Sequence, residues 1–477
     1  MARVQNPILF SSYFGLKPGV LEASGLIDPF LNVDTQLFID PTLLEKSSNE
    51  IIKEKALSAF RKHFSDFLRL LEISEREGDA AWKAARRLLD LSEPADNGLG
   101  YGGSGRSGSS RPEAIRETIL RTSKEIVTLG SKDPEMLGLM GFFEENVGPD
   151  TISDFTTRVI VEQLSEITEN FCLTNGIPTS DKDGQSKFSL PSFAFGRGKK
   201  KYVLLVPSDI VRELPISNDP SEIYQAISFN QKFREKVNSF LAGHEKITTI
   251  EQKEAVRKAA LESVDLFSSF LKSIKDYNQA YSQDDDPLGY RRLKEVLQSD
   301  IKTFKVDKKF DLSGGPEKIL EVVHETINAF RQHVENGNLW EALWANGIPK
   351  KERASQLIYF AIADCFCKAN DIDISPEANM GGGPIDFKFS KGYEARVLVE
   401  MKRSNGTVKH GYEKQLEFYK EAAKTSFGIF VIIDYGDLGN KLLTIQKIRS
   451  ERLEAGEVAS DIVVIDATQK QSASKRA

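Results

Sequence analysis

The chain has few of the residues that build disulfide frameworks or zinc sites, since its 477 residues include three cysteines and five histidines. The cysteines are Cys172, Cys365 and Cys367, and the last two stand two apart on a predicted helix, where they point in different directions. Neither a disulfide framework nor a zinc site of Cys and His ligands fits these numbers and spacings. Thiols at a core and its rim suit a reducing cytoplasm.

Long apolar runs are also missing, because no segment approaches the roughly 20 apolar residues that cross a membrane. The N-terminal sequence MARVQNPILFSSYFG lacks the basic start and long apolar core of a secretory signal. A phosphate-binding GxxxxGK[ST] loop is absent as well, so the sequence shows no motif for nucleotide hydrolysis. We therefore expect a cytoplasmic protein with no membrane partner, in which any separation of nucleic-acid strands comes from elsewhere.

Glycine is concentrated at residues 97–111, whose sequence NGLGYGGSGRSGSSR contains a formal dinucleotide fingerprint at Gly100, Gly102 and Gly105. That fingerprint requires a preceding strand, whereas a helical pattern precedes it here. We interpret the segment as a loop. Nucleotide binding, or a phosphate contact through backbone N–H groups and the two arginines of the segment, stays open as an alternative.

The net charge is −6, from 64 basic and 70 acidic residues. This balance argues against a protein that coats nucleic acid nonspecifically with a basic surface. Two local basic strips are present, one at 196–202 (GRGKKKY) and one formed by Lys402, Arg403, Lys409 and Lys414. Each strip could contact an acidic ligand, or could be a solvated edge whose charges prevent unwanted strand pairing.

The most informative segment reads GGGPIDFKFSKGYEARVLVEMK. If residues 384–389 and 396–402 are strands joined by a turn at 390–394, residues whose numbers sum to about 786 face each other, and Asp386 lies opposite Glu400. Side chains alternate along a strand, which assigns two faces. One face is mostly polar and carries Asp386, Lys388, Arg396, Leu398, Glu400 and Lys402. The other face is apolar and carries Ile385, Phe387, Phe389, Val397, Val399 and Met401.

Two carboxylates and a lysine on one face suit metal-dependent hydrolysis of a phosphodiester. A hard cation neutralises the phosphate and lowers the pKa of an attacking water. Mg²⁺ prefers oxygen ligands and usually takes one or two carboxylates, which Asp386 and Glu400 can supply. Lys402 can stabilise negative charge that develops at the scissile phosphate. The alternative is a solvated hairpin that carries ordinary surface charges.

The residues after this hairpin predict a βαβ unit. A helical pattern at 409–424 carries Gln415 and Tyr419 four positions apart, hence on one face. The continuous apolar run at 427–434 is typical of a strand buried on both faces, and a further helix and apolar strand follow. With the helix that precedes the hairpin, these elements predict a small α/β domain at 336–470.

Elements and motifs in this order resemble the PD-(D/E)XK nuclease superfamily, which has the restriction-endonuclease-like fold. The resemblance rests on Asp386 as the motif aspartate, on Glu400, Met401 and Lys402 as the (D/E)XK element, and on QLEFY from Gln415 to Tyr419 as the QxxxY signature of the exonuclease-type branch. One departure is that Ile385 separates the proline from the aspartate, which gives P-x-D instead of P-D. The match covers the last third of the chain.

The resemblance implies a role for each matched residue. Asp386 and Glu400 would bind the metal ion, with the Met401 carbonyl as a further ligand. Lys402 would be catalytic, and the two QxxxY residues would position DNA or the active site. The implied cofactor is Mg²⁺, which Mn²⁺ can replace.

The family also carries an acidic residue on its first core helix. The best match in this chain is Glu352, with Gln356 one turn later on the same face. Glu377, nine residues before the motif aspartate, is the alternative.

Length and pattern predict a multidomain α+β chain, with an α-rich N-terminal region followed by a C-terminal α/β restriction-endonuclease-like domain that has a mixed central sheet. We assign residues 1–215 to a mixed α/β domain with a Gly-rich loop at 97–111, 216–335 to a helical region, 336–470 to the nuclease-like domain and 471–477 to a polar tail. Trp340 and Trp344 are expected to dock the helical region onto the nuclease-like domain.

The sequence therefore predicts a cytoplasmic, Mg²⁺-dependent nuclease that hydrolyses phosphodiester bonds in nucleic acid, with DNA favoured over RNA. By analogy with modular nucleases, it would serve a bacterial restriction or anti-phage system. The N-terminal region would recognise a target, a partner protein or another copy of the chain. Two alternatives stay open, namely a noncatalytic nucleic-acid-binding or scaffold protein that retains the nuclease fold, and an RNA-cleaving enzyme.

Overall fold

The structure is a computed structural model. It describes residues 8–31, 35, 37–89, 97–99, 113–144, 147–181, 187–194, 200–212, 227–228, 230–241, 249–282, 286, 289–299, 315–345, 347–370, 372–379, 384–391 and 395–470. The Gly-rich segment is described only at 97–99 and the first basic strip only from residue 200, and the polar tail lies outside the described residues.

The first part of the chain forms a helix-rich unit around one apolar core. Helix α3 shows why these segments are helical, because Phe60, Phe64, Phe67 and Leu71 are buried three or four residues apart on one face. The described helices are α1 Phe10–Tyr13, α2 Val20–Ala23, α3 Leu57–Ile73, α4 Ala80–Leu88, α5 Glu113–Leu129, α6 Met140–Phe143, α7 Pro149–Val159, α8 Val161–Thr174, α9 Gln231–Leu241, α10 Thr249–Ala260, α11 Val264–Tyr277 and α12 Tyr290–Ser299.

Short strands complete this unit. The pair β1 and β5 is antiparallel, as is the three-stranded sheet β2-β3-β4. Their bounds are β1 Phe38–Ile39, β2 Thr179–Ser180, β3 Leu190–Phe193, β4 Lys201–Tyr202 and β5 Val211–Arg212. The N-terminal region is thus α-rich with a small β component.

The C-terminal unit is built on a five-stranded sheet in the order β12-β11-β10-β9-β8. Strands β8, β9 and β10 are antiparallel, whereas β10, β11 and β12 are parallel, so the sheet is mixed. The bounds are β8 Asp373–Asn379, β9 Pro384–Lys391, β10 Ala395–Arg403, β11 Gly428–Asp434 and β12 Asp461–Asp466, and a separate hairpin pairs β6 Trp344–Ala345 with β7 Ile348–Pro349. An α+β chain with a C-terminal mixed sheet is therefore confirmed.

Helices flank this sheet on both sides. They are α13 Pro316–Glu335, α14 Glu352–Asn370, α15 Val408–His410, α16 Glu417–Ala422 and α17 Lys441–Glu454, and a π-helical turn, Gly411–Leu416, joins α15 to α16. We call the continuous stretch 408–422 the covering helix.

The register of the predicted hairpin is confirmed. Val399 lies opposite Phe387 and Leu398 opposite Lys388, so the residue numbers of each pair sum to 786. Ile385, expected on the same face as Phe387, packs instead in the core that contains Leu398. That part of the prediction is wrong because β9 leaves the ladder with β10 after the Phe387–Val399 pair.

Both faces of the sheet are covered. On one face Phe387, Val399 and Met401 pack in a core with α13 and α14. On the other face Leu398 and Phe430 pack under the covering helix. The covering helix therefore lies over the predicted polar face of the hairpin, which is not an open surface.

Helix α13 packs on the sheet of the C-terminal unit, although the sequence analysis grouped it with the helical region 216–335. Its buried residues, among them Val323, Ile327 and Phe330, follow helical spacing and join the core under β9 and β10. Trp344 was expected to dock two domains onto each other. In the structure it contacts the Tyr435 ring edge-on and donates from Nε1 to Ala467 O at 2.7 Å, within the C-terminal unit.

Of the helices in the described part of the chain, none is long and apolar enough to span a membrane. Cys172 and Cys367 are buried, as expected for core thiols, and burial raises the pKa of the Cys172 thiol to about 12. The side chain of Cys365 lies outside the described residues.

Candidate active site

Asp386 and Glu400 stand where the β9–β10 ladder ends. Asp386 is half-buried, and its Oδ2 accepts the Met401 N–H at 2.6 Å. Glu400 is buried, and its carboxylate accepts the Asp386 N–H. These bonds hold the two carboxylates next to each other on neighbouring strands, at the positions that the predicted register indicates.

Lys402 joins this pair to a third carboxylate. Its Nζ lies 2.9 Å from Glu400 Oε1 and 2.9 Å from Glu352 Oε1. Glu352 is the first residue of α14, and its Oε2 accepts the Arg403 N–H at 3.1 Å. The structure thus brings Asp386, Glu400, Lys402 and Glu352 together. The side chain of Glu377, the alternative to Glu352, lies outside the described residues.

The site holds more negative charge than its lysine neutralises. Burial raises the pKa of Asp386 well above that of an ordinary aspartate, and the Glu400 charge raises it further. Burial likewise raises the pKa of Glu400, although Lys402 opposes this. For Lys402, burial lowers the pKa, but Asp386, Glu400 and Glu352 together outweigh burial and raise it. Three carboxylates around one ammonium therefore leave room for a further positive charge.

Two buried side-chain oxygens, one in the acidic cluster and one on the covering helix, have no hydrogen-bond partner among the described residues. They are Glu400 Oε2 and Gln415 Oε1, and both are buried. A buried acceptor without a donor costs roughly 1–3 kcal/mol. Each oxygen is therefore suited to a group that arrives from outside, either a cation or a donor of the substrate.

A divalent cation fits this donor set. Within the described ranges there is no group of three or more Asp, Glu, His or Cys residues that could hold a metal ion. The donors that the structure brings together are the carboxylates of Asp386 and Glu400. A small set of oxygen donors suits Mg²⁺, because this ion keeps several waters in its shell. The excess carboxylate charge and the unsatisfied Glu400 oxygen also favour a bound cation.

Gln415 and Tyr419 lie on the covering helix, on the same side of the sheet as the carboxylates. Tyr419 is buried, and burial together with the Glu400 charge raises its pKa, whereas Lys402 lowers it. The ring therefore lies within electrostatic reach of the acidic residues. The structure thus places Tyr419 beside the acidic residues, and Gln415 lies four residues before it on the covering helix.

Gly411 lets the covering helix approach the site closely. A Cβ on Gly411 would lie 3.2 Å from Lys402 Cγ and 3.1 Å from the Phe430 ring. The helix backbone therefore rests directly on the stem of the lysine. Any larger residue would push against the side chain that joins the carboxylates.

A cavity of about 840 Å³ opens beside the covering helix. Gln415 and Tyr419 line it together with Lys414 and Phe418, but Asp386, Glu400 and Glu352 do not. The cavity thus does not contain the acidic cluster, and of the two QxxxY residues that line it Tyr419 is the one whose pKa the Glu400 charge raises. Of the second basic strip, Lys414 lines this cavity, whereas Lys409 is exposed with Nζ 3.9 Å from Glu413.

Sequence reasoning missed two residues, Lys350 and Asp286, whose contacts lead to Arg403 beside the acidic cluster. Lys350 O accepts the Arg403 guanidinium N–H at 3.1 Å, and Lys350 Nζ donates to Asp286 O at 2.6 Å. Asp286 lies in an acidic segment that reads as a linker, 64 residues before Lys350. No local pattern signals a contact over that separation.

Comparison with known proteins gives two family matches. Residues 15–218 match DUF8370 and residues 319–437 match DUF8371, and each is described as a domain of unknown function. The second match begins inside α13 and ends just after β11, so it contains the whole acidic cluster and the covering helix. No curated protein and no solved structure matches the chain.

Proposed function

We propose that the chain is a metal-dependent nuclease of the PD-(D/E)XK type, with a restriction-endonuclease-like C-terminal unit that hydrolyses phosphodiester bonds. The observation that supports this most strongly is the contact geometry of Asp386, Glu400 and Lys402. Two carboxylates lie together at the end of a ladder, and the lysine is ion-paired to one of them at 2.9 Å. DNA is favoured over RNA as the substrate, on the resemblance to the exonuclease-type branch.

Asp386, Glu400 and the Met401 carbonyl would hold Mg²⁺, or Mn²⁺ in its place. When bound, such an ion neutralises charge on the phosphate and lowers the pKa of a neighbouring water. The Asp386 carboxylate would need little movement to bind the ion, because its hydrogen bond with the Met401 N–H fixes it on the side of Glu400.

Lys402 keeps its proton at neutral pH, since the surrounding carboxylates raise its pKa. It therefore acts as a hydrogen-bond donor and a fixed positive charge for phosphate oxygens, and not as a general base. Glu352 holds the ammonium from one side and Glu400 from the other. Gln415 and Tyr419 would orient the substrate from the covering helix.

The N-terminal unit would recognise a target, a partner protein or a second copy of the chain. We place the protein in the cytoplasm, where buried thiols such as Cys172 stay reduced. Its setting would be a bacterial restriction or anti-phage system.

The proposal is tested with purified protein on linear and circular double-stranded DNA, on single-stranded DNA and on RNA, each with Mg²⁺, Mn²⁺ or EDTA. We expect metal-dependent cleavage of DNA, and the pattern separates cutting from an end from internal cutting. Faster cleavage of RNA would favour the ribonuclease alternative. Calorimetry with Mn²⁺ addresses the scaffold alternative, which predicts neither binding heat nor cleavage.

A further inference from the structure

The linker between the two units contains a buried aspartate in an uncommon conformation. Asp286 is 7% exposed and has a φ of +39°, a region that few non-glycine residues adopt, although aspartate is found there more often than most. Its Oδ1 accepts the Tyr281 hydroxyl at 2.8 Å and the Arg291 N–H at 3.0 Å. These bonds hold the Asp286 carboxylate between Tyr281 and Arg291.

In the C-terminal unit, Lys350 is the residue that pairs with Asp286. Its Nζ donates to Asp286 O at 2.6 Å and lies 3.6 Å from Asp286 Oδ2. Both side chains are almost completely shielded, with exposed fractions of 6% and 10%. A shielded ion pair of this kind loses much more when one partner is removed than a surface pair does.

The linker backbone is pressed against the C-terminal unit beside this pair. Gly289 has a φ of +75°, and a Cβ there would lie 2.6 Å from Ala342 O. Immediately afterwards, Tyr290 packs in the N-terminal core and Leu293 in the C-terminal core. The segment thus joins the two units by packing as well as by charge.

On the C-terminal side, Lys350 leads directly to the candidate active site. Its N–H donates to Leu343 O at 2.9 Å, and its carbonyl accepts the Arg403 guanidinium at 3.1 Å. Two residues later, Glu352 accepts the Arg403 N–H and pairs with Lys402. Lys350 and Glu352, two residues apart at the start of α14, thus both accept hydrogen bonds from Arg403.

On the N-terminal side, the same contacts continue into the region that matches DUF8370. The Tyr281 N–H donates to Val211 O at 2.8 Å. Val211 belongs to β5, which pairs with Ile39 of β1. An unbroken series of contacts thus runs from the β1–β5 pair through Tyr281, Asp286 and Lys350 to the candidate site.

We propose that the Asp286–Lys350 pair couples the N-terminal unit to the nuclease site, and that Lys350 is a positioning residue that sets Glu352 and, through it, Lys402. The inference rests on the proposed function. A ligand or partner protein that shifts the β1–β5 pair would change the position of the Lys402 ammonium without touching the substrate. The N-terminal unit would in this way regulate turnover.

The test uses the full chain and two readouts, of which the first needs no catalysis. Hydrogen exchange is measured in peptides that contain Arg403, whose N–H bonds to Glu352. Exchange should be faster in Tyr281→Phe, Asp286→Asn and Lys350→Met, whereas Lys350→Arg should restore slow exchange. The matched control is Lys124→Met, because Lys124 Nζ also donates to backbone carbonyls, those of Leu71 and Ser74 at 2.7 Å, but within the N-terminal unit and not at the linker.

The second readout is steady-state cleavage. We expect Lys350→Met and Asp286→Asn to lower kcat by about 10- to 100-fold, the usual cost of losing a residue that orients an active-site group, with KM little changed. Wild-type exchange and wild-type kcat in folded Tyr281→Phe and Asp286→Asn would overturn the coupling. If the wild type cleaves nothing, the proposed nuclease function fails, and the exchange readout still decides whether the linker controls the Glu352 contact.

Discussion

Asp386 Oδ2 accepts the Met401 N–H at 2.6 Å, in a place where a strand carbonyl would otherwise accept that bond. The side chain thereby ends the β9–β10 ladder and is fixed beside Glu400. Two like charges are held together out of water, which is costly for the metal-free protein. Such an arrangement is explained if a cation offsets the repulsion during function.

Asp386→Asn should therefore stabilise the metal-free protein while abolishing cleavage. Burial and the Glu400 charge raise the pKa of Asp386, so its contribution to stability is complete below the ordinary aspartate pKa and is lost as pH rises through the raised value. Asparagine keeps an oxygen for the Met401 N–H but carries no charge. At pH 8 we expect a gain on the order of 1 kcal/mol in the free energy of unfolding.

Urea unfolding of wild type and Asp386→Asn at pH 5 and pH 8 checks this. The gain should shrink at the lower pH, which lies closer to the ordinary pKa of an aspartate. A variant that is less stable than wild type at pH 8 would contradict the account of charge repulsion at this site.

Lys402→Met should lower both stability and activity. It leaves Glu400 and Glu352 without their ammonium, and removal of one partner of a buried ion pair costs about 3 kcal/mol or more. We expect cleavage to fall by at least about 100-fold, as for the loss of a group that stabilises transition-state charge. The control is Lys447→Met, because the Lys447 ammonium is exposed and lies 3.7 Å from Glu451.

Unfolding and single-turnover cleavage should be measured on both variants. The control should stay within about 0.5 kcal/mol of wild type and keep its rate. Cleavage by Lys402→Met at the wild-type rate would remove the lysine from the mechanism.

Gly411→Ala tests the close contact between the covering helix and Lys402. Alanine in a helix normally stabilises by about 1 kcal/mol relative to glycine. Here its Cβ would lie 3.2 Å from Lys402 Cγ, so the lysine must move. We expect no gain in stability and a loss in kcat well below the roughly 100-fold that a 1 Å displacement of a catalytic group costs, because the lysine must shift only slightly.

A glycine with open space around it serves as the control. A Cβ on Gly148 would meet no atom within 4 Å, so Gly148→Ala should keep the wild-type kcat. Higher stability of Gly411→Ala together with unchanged cleavage would show that the lysine is not held in this way.

Gln415→Leu should weaken substrate engagement without destabilising the fold. Gln415 Oε1 is buried and accepts no hydrogen bond among the described residues, so an apolar side chain of similar size should leave stability unchanged or raise it by up to roughly 3 kcal/mol. We expect weaker binding of DNA and a cleavage rate roughly tenfold lower.

Gln163→Leu is a matched control for this variant, because Gln163 Oε1 is also buried without a described partner but lies in α8 of the N-terminal unit. Binding is measured by fluorescence anisotropy in EDTA, which prevents cleavage. Equal binding and equal rates for Gln415→Leu and wild type would sink the proposed role of the glutamine.

Local pattern was enough to predict the register of β9 and β10, because the turn at 390–394 sets which residues pair and the alternation of Phe387, Phe389, Val397 and Val399 places all four on one face. The same alternation failed at Ile385, where the ladder ends and a side-chain hydrogen bond replaces a backbone one. Pattern within a strand carries no information about where pairing stops.

Contacts between segments that are distant in the chain could not be predicted from local sequence patterns. Glu352 entered through the family resemblance and not through any spacing to Lys402, from which 50 residues separate it. The contact of Lys350 with Asp286 depends on how the linker packs, which no single segment encodes. The burial of α13 under the sheet was missed for a similar reason, since its apolar stripe fits a helical region as well as a sheet.

The most direct test of the central claim compares three purified proteins on linear and circular DNA with Mg²⁺ or EDTA. These are wild type, Asp386→Ala and the control Asp466→Asn. Asp466 lies at the end of β12 and accepts the Thr468 N–H, a hydrogen bond that asparagine can keep. We predict Mg²⁺-dependent cleavage by wild type and Asp466→Asn and none by Asp386→Ala. Cleavage by folded Asp386→Ala at the wild-type rate, or no cleavage by wild type under any of these conditions, would contradict the account.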